Sequence, residues 1–238
     1  MCQDTSKETI SRRGLFMGGL ALGVAGASAS QVAAQVAEAR PATPDEALKR
    51  LVEGNERYVA NKAINTDHSA ARAARAQGQQ PFAAVVSCAD SRVVPELIFD
   101  QAPGDLFVLR VAGNFINDDG LASLEFGAAV LGIQTIVVLG HTACGAVDAT
   151  IKSIQDRTLP PGHLPLLVNA IRPAVYDVLP DDPADLLAAA TARNATLNAE
   201  KAVSADPILA DLHASGKISA VGGVYDISSG KVDFLQGL

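Results

Sequence analysis

The sequence predicts an α/β fold, with a mostly parallel central sheet flanked by helices and a C-terminal antiparallel hairpin strand. Three observations point there. Short apolar runs, FAAVVS (82–87), LFVLRVA (106–112) and TIVVLG (135–140), have the length and β-branched content of strands buried on both faces. Longer stretches of helical period separate and follow them, the order expected of helices layered on a parallel sheet. The chain then closes on two β-prone runs, ISAVGGVYDI and KVDFL, joined through Ser229-Gly230 as a hairpin.

The helices follow from their own signals. At Thr43-Pro44-Asp45-Glu46, Thr43 caps, Pro44 suits the first helical position and Glu46 completes a capping box. Leu48, Leu51, Val52 and Val59 then continue a helical stripe through about residue 61. A polar, alanine-rich segment over 66–77 predicts a second helix, ending at Gly78. Between the second and third strands, Leu121, Leu124, Ala128 and Leu131 recur at helical spacing, so strand, helix and strand make a right-handed parallel crossover. LPLLVNAIRPAVYDVL and PADLLAAATARNATLNAEKAV read as two further helices, the first interrupted at Pro173.

The amino end reads differently. Ser11-Arg12-Arg13-Gly14-Leu15-Phe16 resembles a twin-arginine export signal and precedes a Gly/Ala-rich apolar stretch. That stretch is too short and too small in side-chain volume for a stable membrane span. Ala27-Ser28-Ala29 is a cleavage candidate, with Ala33-Ala34 a second, so residues 1–29 are expected to be a signal peptide and 30–238 a single domain. The expected location is periplasmic, or otherwise outside the cytoplasm by this route. Without residues 1–29 the chain carries 16 Lys+Arg against 24 Asp+Glu, and no basic stripe, which argues against nucleic-acid binding. Asn194-Ala195-Thr196 matches a glycosylation acceptor, a coincidence behind a bacterial-type leader.

Cys2 falls in the leader, leaving Cys88 and Cys144. For an exported chain the default expectation is a disulfide. The predicted strands suggest something else. Cys88 follows one strand, His141 follows another, and Cys144 begins the next helix, so all three meet where parallel sheets hold their sites. Two thiolates and an imidazole are a zinc ligand set, with Asp90 as a fourth ligand or with that position left to water. Core packing and a redox pair are the competing readings; the pair lacks C-x-x-C spacing.

CADSR (88–92) together with GHTACGAV (140–147) resembles the β-class carbonic anhydrases, and the resemblance extends from about residue 43 to the end, including GDLFVLRVAGN (104–114) and SLEFGA (123–128). It implies one Zn2+ per chain, held by Cys88, His141 and Cys144, and reversible hydration of CO2 to bicarbonate and a proton by a zinc-bound hydroxide. It implies that Asp90 orients that nucleophile when paired with Arg92, and closes the site as a fourth ligand when released. Gln79 matches a substrate-binding glutamine. Phe107, Ala112 and Phe126 match an apolar CO2 pocket, although as residue types they read equally well as core. Gly113 and Gly145 are expected to allow close backbone approach.

The family resemblance also implies a homodimer or higher even oligomer with its pocket at a subunit boundary, embraced by segment 43–61. The departures are Phe126 for a common Tyr, Val111 for Asn and Ala89 for Ser; none removes a ligand. With no Trp in the chain, the non-catalytic bicarbonate site of some relatives loses one member. The alternatives are a carbon disulfide or carbonyl sulfide hydrolase on the same scaffold, and a catalytically silent zinc-binding protein. Twin-arginine export carries folded proteins, so metal bound beforehand would protect both thiols from oxidation.

Overall fold

A computed structural model of the chain describes residues 39–69 and 71–237. The expected signal peptide, its cleavage candidates and the start of the 30–238 segment lie outside the described residues. No helix among the described residues is long and apolar enough to cross a membrane.

Helix α1 (Pro44–Val59) starts as its sequence requires. Thr43 Oγ1 accepts from the Glu46 N–H at 3.2 Å, while Glu46 Oε2 reaches back one residue further than expected, to the Ala42 N–H at 2.7 Å. Its buried line is Ala47, Leu51, Gly54 and Asn55, whereas Val59 is exposed. Small residues let the helix come close: a Cβ at Gly54 would lie 1.8 Å from the Phe99 carbonyl oxygen.

The predicted second helix shrinks to one turn, α2 (Arg72–Arg75). Asp67 Oδ1 takes the Ser69 N–H (2.9 Å) and hydroxyl (2.6 Å) into a local turn, and Ala71 is left-handed at φ 55°. Aspartate here offers the backbone an alternative to the helix. Strand β1 (Ala83–Ser87) follows, then a helical turn opened by Pro95, α3 (Pro95–Ile98). Strand β2 (Leu106–Arg110), helix α4 (Asp118–Ala129) and strand β3 (Thr135–His141) come next. Three helices then succeed one another: α5 (Gly145–Gln155), α6 (Leu164–Val178) and α7 (Leu186–Val203).

Pro173 does not interrupt α6. The carbonyl that loses its helical donor belongs to Asn169, which, like Pro173, is exposed, so water can replace the missing N–H. A short helix with no clear sequence signal, α8 (Ile208–Ala214), leads into β4 (Ser219–Tyr225) and β5 (Val232–Gly237).

The sheet order is β2-β1-β3-β4-β5, with β1 to β4 mutually parallel and β5 antiparallel to β4. Both faces are covered. Val85, Phe99, Val137 and Leu139 pack with Ala47 and Leu51 of α1 on one side. Val86, Ile136 and Val138 pack with Leu124 of α4, Ala195 and Ala199 of α7 and Leu209 of α8 on the other. β1 and β3 are buried throughout, as expected, but β2 is half-buried because it forms the sheet edge. A third cluster, Cys88, Cys144, Val147, Ile151, Ile171, Val175 and Ala190, lies where the ends of β1 and β3 meet α5 and α6.

Candidate active site and metal centre

Parallel pairing places the carboxyl ends of β1 and β3 side by side, in register from Ala83 opposite Thr135 to Ser87 opposite Leu139. Cys88 is the first residue past β1. His141 is the last residue of β3, one place earlier than the sequence suggests, and Cys144 caps α5. The ligand atoms of Cys88, His141 and Cys144 all lie within 4.8 Å of one another, and all three residues are buried. The cysteines form no disulfide.

This donor set fits a borderline-soft divalent cation. His141 Nδ1 lies 2.9 Å from the Thr142 carbonyl. A carbonyl only accepts, so Nδ1 carries the proton and Nε2 keeps its lone pair. That Nε2 is buried with no hydrogen-bond partner among the described residues. An orphaned acceptor beside two sulfurs is costly unless something electron-deficient sits between them. The thiols titrate as a pair. Cys88 is held down by a hydrogen bond from Cys144, against burial and with help from the Gly113 N–H. Cys144 is pushed up by the same bond and by burial. A divalent cation among them would favour both thiolates.

Asp90 lies at the rim. Its carboxylate takes a bidentate contact from Arg92, Nε to Oδ1 at 2.9 Å and Nη2 to Oδ2 at 2.7 Å, plus the Arg92 backbone N–H at 3.0 Å. Those hydrogen bonds hold the carboxyl well below the usual carboxylate range, so it stays an acceptor. Its Oδ2 is 4.0 Å from His141 Nε2. Arg110 at the end of β2, which neither ligand motif includes, donates through Nε to the Cys88 carbonyl (3.1 Å) and through Nη2 to the Asp90 carbonyl (2.7 Å). Its one sequence signal is a charged residue at the crevice end of an apolar strand.

The remaining residues divide. Gly113 is at φ +84°, and a Cβ there would lie 2.4 Å from Ile171 Cδ1, so close approach is required as expected. At Gly145 it is not: a Cβ would meet nothing within 4 Å. Phe107 and Ala112 are half-buried, Phe107 against Gly127 of α4. Phe126 is 48% exposed on the outer side of α4. Gln79 is exposed on the loop before the amino end of β1, the strand's length of roughly 16 Å away from the cysteine end. Within one chain Gln79 therefore does not join the Cys-His-Cys cluster.

The family profile described as carbonic anhydrase matches residues 83–232. The chain is similar to carbonic anhydrase 2 of Mycobacterium tuberculosis, 47% identical over 136 residues, covering 56% of this chain and 64% of that relative. The match thus spans slightly less than two thirds of that protein's length. Among solved structures, the β-carbonic anhydrase CcaA is 30% identical with a TM-score of 0.61, covering 79% of this chain and 91% of that one. The β-carbonic anhydrase of Coccomyxa, in complex with acetazolamide, is 30% identical with a TM-score of 0.60, covering 80% of this chain and 87% of that one. A profile match over most of the sheet, joined to this likeness in fold, shows that the chain belongs to the β-class carbonic anhydrase family.

Proposed function

We propose that the protein is a zinc-dependent carbonic anhydrase, catalysing reversible hydration of CO2 to bicarbonate and a proton. The observation that carries this reading is the Cys88–His141–Cys144 cluster with Asp90 and Arg92 at its rim, on a carbonic anhydrase fold. Three protein donors leave one position of a tetrahedral set for water, the pattern of a catalytic zinc site. Zinc supplies Lewis acidity there, bringing the pKa of water toward neutrality.

The chain's own residues do the rest. Cys88 and Cys144 contribute two negative charges that balance the cation, and His141 contributes its Nε2 lone pair. Asp90 accepts a hydrogen bond from the attacking water and directs the oxygen's remaining lone pair at the CO2 carbon. Arg92 keeps Asp90 ionised and bidentately held, with Asp90 Oδ2 4.0 Å from His141 Nε2. Asp90 engaged by Arg92 is the pairing an open site needs, and it supports catalysis over a silent protein with Asp90 permanently on the metal. No feature of the described residues favours carbon disulfide or carbonyl sulfide over CO2.

The apolar side of the pocket is assigned to Phe107, Ala112 and Phe126, and the bicarbonate-holding amide to Gln79. The exposure of Phe126 and Gln79 in a single chain supports a homodimer in which a second copy completes each pocket. Export by the twin-arginine route is proposed from Ser11–Phe16, and the free thiols of Cys88 and Cys144 suit a protein folded before export.

Five outcomes are expected. Zinc-loaded protein should accelerate CO2 hydration in a stopped-flow pH-indicator assay and hold one zinc per chain by elemental analysis. Cys88→Ser, His141→Ala and Cys144→Ser should lose both; full zinc after loss of His141 would overturn the ligand assignment. Arg92→Ala frees Asp90 to occupy the water position, whereas Asp90→Asn leaves that position accessible without orienting the nucleophile. Azide should therefore bind Arg92→Ala much more weakly than Asp90→Asn, because the fourth position is then filled; equal affinities would refute the Asp90–Arg92 switch. Analytical ultracentrifugation should find a dimer or larger even assembly, against which a fully active monomer would count. Finally, an Arg12→Lys, Arg13→Lys variant should accumulate unprocessed in the cytoplasm, and normal export of that variant would remove the case for the twin-arginine route.

A further inference from the structure

We infer that Asn194 is a positioning residue for the metal centre, holding the turn whose backbone N–H donates to Cys88. The inference rests on the zinc reading proposed above.

Helix α7 buries a line of small side chains, Ala195, Ala199 and Ala202 against the sheet and Ala190 in the cluster with Cys88 and Cys144. Two asparagines interrupt that line, Asn194 (1% exposed) and Asn198 (7% exposed). Burying an amide costs stability unless its hydrogen bonds are made, so two amides among alanines need something specific to hold. What they hold is the turn after β2. Asn194 Nδ2 donates to the Gly113 carbonyl at 2.8 Å, and Asn198 Oδ1 accepts from the Ile116 N–H at 2.7 Å. The two side chains also brace each other, Asn198 Nδ2 donating to Asn194 Oδ1 at 3.2 Å and to the Asn194 carbonyl at 2.9 Å. Asn194, which begins the Asn-Ala-Thr triplet, is thus a buried and fully engaged side chain, unsuited to glycosylation.

The held turn points at the ligand set. Gly113 donates its N–H to Cys88 Sγ at 3.3 Å. The turn is fixed on its other sides as well: the Val111 N–H bonds the Ser87 carbonyl at 3.1 Å, and Ile171 and Ala146 close on Gly113 so tightly that no Cβ fits. The Asn194 contact anchors the peptide that follows Gly113. Without it, the turn keeps its side packing and the Asn114 N–H bond to the Val111 carbonyl (2.9 Å) but loses the tie on the Gly113 carbonyl, across the glycine's own torsions from the N–H that reaches Cys88. A hydrogen bond to a thiolate withdraws charge from the sulfur, and partners of this kind set the strength and electronics of a metal site.

Asn194→Ala should lower zinc affinity by roughly 10–100-fold, the range for lost outer-shell partners, measured by competition with a chromophoric chelator. In cobalt-substituted protein, the same change should move the thiolate-to-metal charge-transfer band to longer wavelength, because a sulfur with a weaker hydrogen bond is a better electron donor. Asn55→Ala is the control, since Asn55 is an equally buried amide that ties Ile98, Gly230 and Val232 to α1 and touches no ligand. It should cost stability while leaving affinity and band as in wild type. Should Asn194→Ala fail to fold, Asn194→Leu, near in size, uncharged and without the N–H donor, carries the same comparison. Wild-type affinity and an unmoved band in the Asn194 variant would overturn the inference and leave the zinc reading intact. Failure of the wild-type chain to bind zinc stoichiometrically would overturn both.

Discussion

The parallel pairing of β1 with β3 puts two strand ends side by side, and the placing of Cys88 against His141 depends on it. Both strands are buried on both faces, so hydrophobic alternation cannot specify their register. Backbone bonds continue the observed pairing at the opposite end, between β1 and β3 and between β3 and β4. The Gln134 N–H bonds the Phe82 carbonyl at 2.9 Å, the Ser219 N–H bonds the Gln134 carbonyl at 3.0 Å, and Thr135 and Ser219 share a hydroxyl contact of 3.0 Å. A slip of one residue would carry His141 about 3.3 Å along the sheet and turn it to the other face. The ligand cluster, all within 4.8 Å, would not survive that slip.

Around this frame the site is held by backbone as much as by side chains. Arg110 ties the carbonyls of Cys88 and Asp90, Arg92 ties the Asp90 carboxylate, and the Thr142 carbonyl fixes the His141 tautomer. Each contact settles an orientation before any ligand arrives. At the rim Arg92 pairs its charge with Asp90, and Arg110 is held by two backbone carbonyls. Such preorganisation costs little at the moment of reaction, because the dipoles need not turn.

Much of this was legible in the sequence, for physical reasons that differ by residue. The strands were readable because fully buried β-branched runs have few other uses, and the start of α1 because capping chemistry is local. Cys88, His141 and Cys144 were readable as candidates because they fall at strand ends that a parallel sheet must bring together. The 66–77 segment misled because Asp67 competes for the backbone, which composition does not reveal. Pro173 misled because its cost depends on whether the orphaned carbonyl faces water. The apparent freedom required at Gly145 had no counterpart in space. Asn194 was illegible as part of the site, and Arg110 legible only as a charge at a strand end, since their partners are carbonyls that any residue could supply. Gln79 and Phe126 carried a likeness to pocket residues, but one chain alone leaves both facing outward.

The central claim is that two sulfurs and one imidazole nitrogen of this chain hold zinc with room for one more oxygen. Zinc K-edge X-ray absorption on the loaded protein tests it directly. The account predicts two sulfur scatterers at about 2.3 Å and one histidine nitrogen at about 2.0 Å, with a single lighter atom completing the shell. A first shell of nitrogen and oxygen alone would contradict it.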